Sequence, residues 1–418
     1  MKEKITIGYI GLGRRGFDVL RDCITEMKDV RIKYLCDLHE NRLQKGADLL
    51  EQKGLPGATL AVDYQEILRD PEVDAVYVMT DWASHAPIAK DAMRAGKYTA
   101  MEVGCALNLQ DCWDLVDIYE QTGTPLMMLE NCCYNRREMM VLNMVKQGLF
   151  GEIVHCDGAY CHYLPETELF GFLEDPIRHY RIGQYRTRNC EQYPTHELGP
   201  IAKVLGINRG NRMVRLNSIA SKSAGIKTYV HDHLADWKEF DTDYAQGDII
   251  TTVITCEGGE TITLRLDTTL PRAYYSRNFT VRGTKGMSSE ERRAVFLEGM
   301  EEPIENNEEE FFAKYDHPLQ AEYVALGERG GHGGMDWLVN RGFIESVKNG
   351  TNTPIDVYDA AAWMSIAVLS TASIEQNGAP VEIPDFTRGK WQNREPVTEG
   401  KYCLDKVCVD HTVKIMED

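Results

Sequence analysis

No Cys-x-x-Cys pair occurs among the twelve cysteines, which stand singly or as the adjacent Cys132-Cys133. The usual zinc and redox spacings are therefore excluded, and no metal ligand set is apparent. In a chain of 418 residues the cysteines read as reduced thiols, which points to a cytoplasmic protein. An excess of basic residues is also missing. The formal net charge is −19, which argues against nucleic acid and anionic membranes as partners. No long apolar run is present: the most apolar stretch, residues 360–374, contains Ser365, Ser370, Thr371 and Ser373 and reads as a buried helix, too short and polar for a membrane span. There is no visible secretion signal ahead of Ile5, no internal repeat and no low-complexity linker.

What is present is a soluble globular composition, 43% hydrophobic and 27% charged, with length enough for two domains. The apolar run at 5–10 leads straight into Gly11-Leu12-Gly13-Arg14-Arg15-Gly16. A helical pattern follows (Phe17, Leu20, Cys23, Ile24, Met27), then a second apolar run ending in Asp37, about 20 residues past the glycines. This is the dinucleotide fingerprint in its strand–turn–helix–strand setting. Gly11 makes the tight turn, Gly13 lets a pyrophosphate approach the backbone, and Gly16 lets the helix pack on the strand. Arg14 and Arg15 flank the same seat, where helix N–H groups face phosphates. Asp37 would accept from ribose hydroxyls and repel a 2′-phosphate, so the cofactor expected is NAD.

Strand-like runs at 5–10, 31–36, 75–79, 98–101 and 126–129 alternate with helical periodicity. Such alternation predicts an α/β N-terminal Rossmann domain over 1–135, a doubly wound parallel sheet with ligands outside the carboxyl ends of its strands. After a helix around 139–147 the pattern changes to two-periodic segments at 153–163, 213–220, 248–256, 261–268 and 278–282, with a hairpin at Gly258-Gly259. Residues 136–418 are therefore expected to form an α+β domain with a large, mostly antiparallel open sheet for substrate binding and oligomerisation. Residues 301–310 are strongly acidic and read as an exposed loop. Helices return at 336–348 and 357–376, and Trp391, Tyr402, Val407 and Val409 suggest that the tail packs down.

This architecture resembles the Gfo/Idh/MocA oxidoreductases. Thr80-Asp81-Trp82-Ala83-Ser84-His85 looks like that family's loop along the cofactor. Where most members carry Glu-Lys-Pro after the fifth strand, with a lysine touching the reacting carbon, this chain has Glu102-Val103-Gly104. The missing lysine fits one branch. Met128-Leu129-Glu130-Asn131-Cys132-Cys133-Tyr134 resembles the NAD-dependent glycoside hydrolases of family 109, which cleave α-linked N-acetylgalactosamine. So do Gly158-Ala159-Tyr160-Cys161-His162, Tyr193-Pro194-Thr195-His196-Glu197-Leu198-Gly199-Pro200 and Gly331-His332-Gly333-Gly334-Met335-Asp336. The blocks starting at Asp356 and Pro384 extend the likeness over nearly the whole chain, although Glu197 stands where a glycine is expected.

The resemblance implies redox-assisted cleavage, outside the two-carboxylate scheme of most glycosidases. Tightly held NAD takes hydride from C3, a base removes the acidified C2 proton, the C1 group departs, water adds and the hydride returns. His196 is the expected base at the C3 hydroxyl. Tyr160 is expected at the C2 proton, with His162 two residues along the strand supplying a positive charge or hydrogen bond. Tyr193 is expected to touch sugar hydroxyls or orient His196. Glu102 and Glu130, at carboxyl ends of parallel strands, are expected at the cofactor with Thr80, Trp82 and His85. His332 lies between glycines and could approach a ligand, while Arg181, Arg186 and Arg188 read as solvated charge. The partner expected is a small carbohydrate, and the family habit is a homo-oligomer, dimer or tetramer. The alternatives are a conventional sugar or cyclitol dehydrogenase and a non-catalytic cofactor-bound regulator.

Overall fold

The computed structural model describes residues 2–171, 180–301, 304–327, 329–397 and 400–405. The first six strands are β1 (Ile5–Ile10), β2 (Val30–Cys36), β3 (Thr59–Ala61), β4 (Ala75–Val78), β5 (Tyr98–Met101) and β6 (Leu126–Met128). They form one parallel sheet in the order β3-β2-β1-β4-β5-β6. β1 and β4 are neighbours, and the chain winds outward from them in opposite directions, which opens a crevice at their carboxyl ends. Both faces are covered by helices, so Tyr9, Ile7, Val76 and Tyr77 are fully buried. β3 is beyond the reach of periodicity: it has three residues, two of them exposed.

The second sheet contains β7 (Ile153–Cys161), β8 (Met213–Ala220), β9 (Ile249–Cys256), β10 (Thr261–Asp267), β11 (Thr280–Gly283), β12 (Gly286–Ser289), β13 (Ala294–Leu297) and β14 (Val381–Glu382). Its order is β13-β12-β11-β7-β10-β9-β8-β14. All pairs are antiparallel except β7 with β10, which lie parallel. The glycine pair between β9 and β10 makes the expected hairpin, with Gly259 at φ +94°. One face is buried under the helices Thr195–Val204 and Val357–Glu375; the other leaves Ile219 and Val253 exposed. β12 and β13 do not alternate and β14 has two residues, so none of them leaves a pattern in the sequence.

Two expectations change. The acidic segment is not simply a loop. Glu308 begins the helix Glu308–Tyr315 and is buried against Arg137, because an ion pair compensates its desolvation. The helices after residue 334 are not confined to the second sheet. Met335–Asn349 packs on β1 and on the turn Asn131–Tyr134, and Val357–Glu375 packs on β6 and on the helix Leu109–Thr122. Val357–Glu375 is long and apolar enough to cross a membrane by length and composition, and most of it is buried in the protein. Tyr402 is buried, so the tail packs down that far; Val407 and Val409 lie outside the described residues.

Candidate active site

The fingerprint glycines have distinct physical reasons. Gly11 has φ +98°, and a Cβ there would sit 2.5 Å from Met79 O. A Cβ on Gly16 would sit 2.2 Å from Gly11 O. A Cβ on Gly13 would meet only Arg42 Nη1, at 3.6 Å, so protein packing does not demand a glycine there; close approach of a ligand does. Gly13 caps the helix Arg14–Asp22 without a side-chain bond, and no acid stands in its first turn. A helix start with neither a side-chain cap nor an acid suits an anion, and this fits a dinucleotide pyrophosphate. Asp37 at the end of β2 holds the turn: its carboxylate accepts from Leu12 N at 2.7 Å and His39 N at 3.0 Å.

The other crevice residues divide. Trp82 lies over Gly104, where a Cβ would come 2.5 Å from its indole, and its ring packs against Tyr180 and Tyr193. Val103, at the place of the family's lysine, is buried. His85 is buried with Nε2 2.9 Å from Thr80 O, and burial pushes its pKa down to about 4, so it braces the loop as a neutral ring. Thr80 Oγ1 accepts from Ser84 Oγ at 2.7 Å. Arg14 reaches Glu168 at 3.0 Å. Arg15 forms a two-pronged pair with Asp336, both contacts 2.7 Å, and its Nε lies 3.4 Å from Glu102. Burial raises the pKa of Glu102, against the pull of Arg15.

His196 sits in the first turn of the helix Thr195–Val204 with 14% of its side chain exposed. Its Nδ1 is 2.7 Å from Glu130 Oε1. Glu130 also accepts from Cys132 N at 3.0 Å and is fully buried. Burial alone would raise its pKa, but the charge and hydrogen bond of His196 outweigh that and lower it. One oxygen of Glu130 is thus taken by His196. The pairing fixes Nδ1 as the protonated nitrogen and leaves the Nε2 lone pair for a substrate proton. Cys132 Sγ completes a group of N, S and O donors within 4.8 Å of one another that sequence spacing did not disclose. Burial raises the Cys132 pKa well above its ordinary value, which keeps the thiol protonated and a poor ligand.

Around His196 the aromatic residues converge. Tyr193 stands edge-on to it with centroids 4.8 Å apart, and Tyr160 packs on Tyr193 at 4.6 Å. The Tyr160 hydroxyl is 3.1 Å from His162 Nδ1. Burial lowers the His162 pKa, so of the two roles expected of this ring, positive charge or hydrogen bond, it offers the hydrogen bond. The charge comes from Arg181, whose guanidinium lies 4.8 Å over Tyr193 and 5.3 Å over Trp82. Arg181 is therefore part of the site and not solvated charge, whereas Arg186 reaches Glu239 O at the surface. Burial pushes Tyr160 up to about 12 despite Arg181, so its hydroxyl is protonated at neutral pH. Tyr275, which periodicity did not single out, packs its ring 5.3 Å from His162 and 6.3 Å from Tyr160, with 44% exposed. It comes from the irregular segment between β10 and β11, so no pattern marked it.

Behind His196 lie two acids. Glu191 and Glu197 are buried, and neither carboxyl oxygen of either finds a hydrogen-bond partner among the described residues. Burial raises Glu191 to about 8; burial and the charge of Glu191 raise Glu197 well above its ordinary value. Glu197 Cβ fits because the facing residue of β7 is Gly158, where a Cβ would lie 2.8 Å from it.

A family model described as "Glycosyl hydrolase 109, C-terminal domain" matches residues 134–393, and one described as "Oxidoreductase family, NAD-binding Rossmann fold" matches 5–130. A glycosyl hydrolase family 109 protein of Stenotrophomonas maltophilia is 38% identical, over 96% of this chain and 93% of its own length. An alpha-N-acetylgalactosaminidase of Tannerella forsythia is 36% identical over 94% of this chain and 88% of its own. Among solved structures, levoglucosan dehydrogenase with NADH and levoglucosan superposes with a TM-score of 0.68 at 16% identity, covering 91% of this chain and 100% of that one, which shows the shared fold. The chain therefore belongs to glycosyl hydrolase family 109, built on an NAD-binding Rossmann half of the Gfo/Idh/MocA oxidoreductase type.

Proposed function

We propose that this protein is an NAD-dependent glycosidase cleaving an α-N-acetylgalactosaminide or a related glycoside, with the cofactor restored at the end of each turnover. The observation that carries this reading is the His196–Glu130 pair in a crevice whose lysine position is the buried Val103. The name borne by the Tannerella forsythia relative supports the substrate class.

When bound, NAD supplies reversible hydride acceptance at C3 of the sugar. The fingerprint turn and the leading N–H groups of Arg14–Asp22 would hold its phosphates. His196 Nε2 takes the C3 hydroxyl proton, and Glu130 stabilises the imidazolium that results. Tyr160 handles the C2 proton. Its phenol is protonated at rest, so it passes that proton to His162 Nδ1, 3.1 Å away, as it takes the C2 proton, and Arg181 is placed to stabilise the phenolate. Tyr193 fixes the His196 ring from the side. The reading extends to a homo-oligomer, supported by Ile219 and Val253 exposed on the open sheet face, and to a cytoplasmic setting, supported by the burial of all eleven described cysteines.

The test is a panel of α- and β-nitrophenyl glycosides, N-acetylgalactosaminides included, with NAD+ and no other acceptor. Nitrophenol released over many turnovers without net NADH is the expected result. NADH accumulating with substrate, and no leaving group released, would overturn the reading in favour of a conventional sugar dehydrogenase.

A further inference from the structure

Glu191 and Glu197 take no part in the proton transfers, yet they sit directly behind them. Glu191 lies just ahead of the helix Thr195–Val204, and Glu197 follows His196 on it. They are 0% and 1% exposed, in the seam between that helix and the second sheet. β7 makes room for Glu197 with Gly158, whose Cβ would lie 2.8 Å from Glu197 Cβ and 2.9 Å from Ile201 Cδ1. A buried carboxylate needs a cation or several N–H groups to answer its charge. None of the four oxygens here has a partner in hydrogen-bond geometry, and no cation pairs with either acid among the described residues.

The titratable groups that face the pair are Glu130 past the end of β6, Cys161 on β7, Cys190 beside Glu191, and Tyr185 on the helix Arg181–Thr187. β10 and the helix Val357–Glu375 present uncharged groups: the Leu266 N–H, and Ser370 Oγ, which accepts from Glu191 N at 2.9 Å. A charge in this seam would stand bare beside Glu130, so both acids are neutral at rest, burial being the main cause. The two supports of the pair differ in stiffness. Residues 190–192 are pinned by Ser370 and by Gln246 Oε1, which accepts from Cys190 N at 3.2 Å and Gln192 Nε2 at 2.5 Å. The helix start has no side-chain cap at Pro194 and rests on its packing against β7. A charge formed in the seam must be answered by water or by movement, and the support that yields is the first turn, which carries His196.

We propose that Glu191 and Glu197 are positioning residues for the His196–Glu130 pair: as neutral carboxyls they let the helix start close on β7 and hold His196 Nδ1 against Glu130, and loss of the Glu191 proton opens the seam and parts the two. Alkaline medium thereby releases the imidazole from its carboxylate. That the imidazole acts as a base rests on the function proposed above; the hold on its ring does not.

The experiment reads the ring and not only turnover. Full-length protein with its histidines labelled by the heavy nitrogen isotope is titrated from about pH 6 to about pH 10. The His196 ring nitrogens are followed by NMR through the carbon-bound ring protons, which do not exchange, and are assigned by their absence in His196→Gln. In the wild type the Nδ1–H form selected by Glu130 should dominate at neutral pH and give way with a midpoint near pH 8. In Glu191→Gln that form should persist at least about one pH unit higher. Glu197→Gln should do likewise, because its amide can donate to a Glu191 carboxylate. Thermal melting checks folding at each end of the range, and Glu197→Gln decides the matter if Glu191→Gln does not fold. A wild-type ring that keeps the Nδ1–H form throughout, or a folded variant whose ring changes at the wild-type pH, would overturn the proposal. Nitrophenol release is measured on the same samples. An alkaline loss of kcat that moves with the ring supports both readings. Glycosides left uncleaved while the rings still differ would overturn the glycosidase reading and leave the positioning pair standing.

Discussion

Glu130→Gln is the sharpest perturbation of the site. The Glu130 carboxylate is 2.7 Å from His196 Nδ1 and fully out of solvent. The substitution keeps the size of the side chain and removes its charge. A unit charge about 4 Å from the imidazolium contributes roughly 4 kcal/mol at an effective dielectric near 20. The amide can also present its NH2 to Nδ1 and favour the wrong tautomer. Every 1.36 kcal/mol is tenfold in rate, so kcat should fall about a thousandfold. The assay is nitrophenol release at saturating glycoside and NAD+, with absorbance of reduced cofactor followed in a single turnover to show that proton removal at C3 is the step affected. KM should move little, because no ground-state contact to the sugar is removed. A folded Glu130→Gln enzyme within about fivefold of wild-type kcat would refute His196 as the base that Glu130 supports.

Three further outcomes are expected. Tyr160→Phe keeps the ring against Tyr193 and loses the hydroxyl, so kcat should fall about a hundredfold or more with the melting temperature nearly unchanged; wild-type turnover would exclude Tyr160 from proton transfer. Gly158→Ala places a methyl 2.8 Å from Glu197 Cβ and 2.9 Å from Ile201 Cδ1, so it should push the His196 helix off β7, cost about 1–3 kcal/mol in urea unfolding and lower kcat; a variant as stable and as active as wild type would refute that packing. Glu191 and Glu197 have raised pKa values, so the folded state holds protons that the unfolded chain has lost. The contribution of each is complete below about pH 4.3 and is lost as pH rises through its raised folded pKa, which for Glu191 is about 8. Glu197→Gln should flatten that fall, with a higher melting temperature than wild type at pH 8 and a smaller difference at pH 5; parallel curves would refute it.

The fingerprint, most strand positions and the change of pattern near residue 150 were legible because period and glycine spacing are local properties. β3, β12, β13 and β14 were not: β3 and β14 have three and two residues, and Gly-Met-Ser-Ser and Ala-Val-Phe-Leu of β12 and β13 do not alternate. The partnership of Glu130 with His196 joins positions 66 residues apart and has no local sign. The placement of Arg181 has no local sign for a related reason: an arginine among arginines has the sequence signature of surface charge, and only the fold sets its guanidinium over Trp82 and Tyr193. His85, in the first turn of the helix Trp82–Arg94, has its ring against the Thr80 carbonyl, a contact that no motif records.

The imidazole and its carboxylate are contributed by different halves of the molecule. Glu130 is the last residue matched to the Rossmann model, and His196 lies within the glycosyl hydrolase segment beginning at 134. Neither half carries a working base alone. A separation of the halves by little more than an ångström would stretch a 2.7 Å contact past hydrogen-bonding range. The pair thus reports on whether the two lobes are seated. On the function proposed above, proton abstraction needs both halves in place, so a foreign half of the same fold would restore it only if it also brought the matching imidazole or carboxylate.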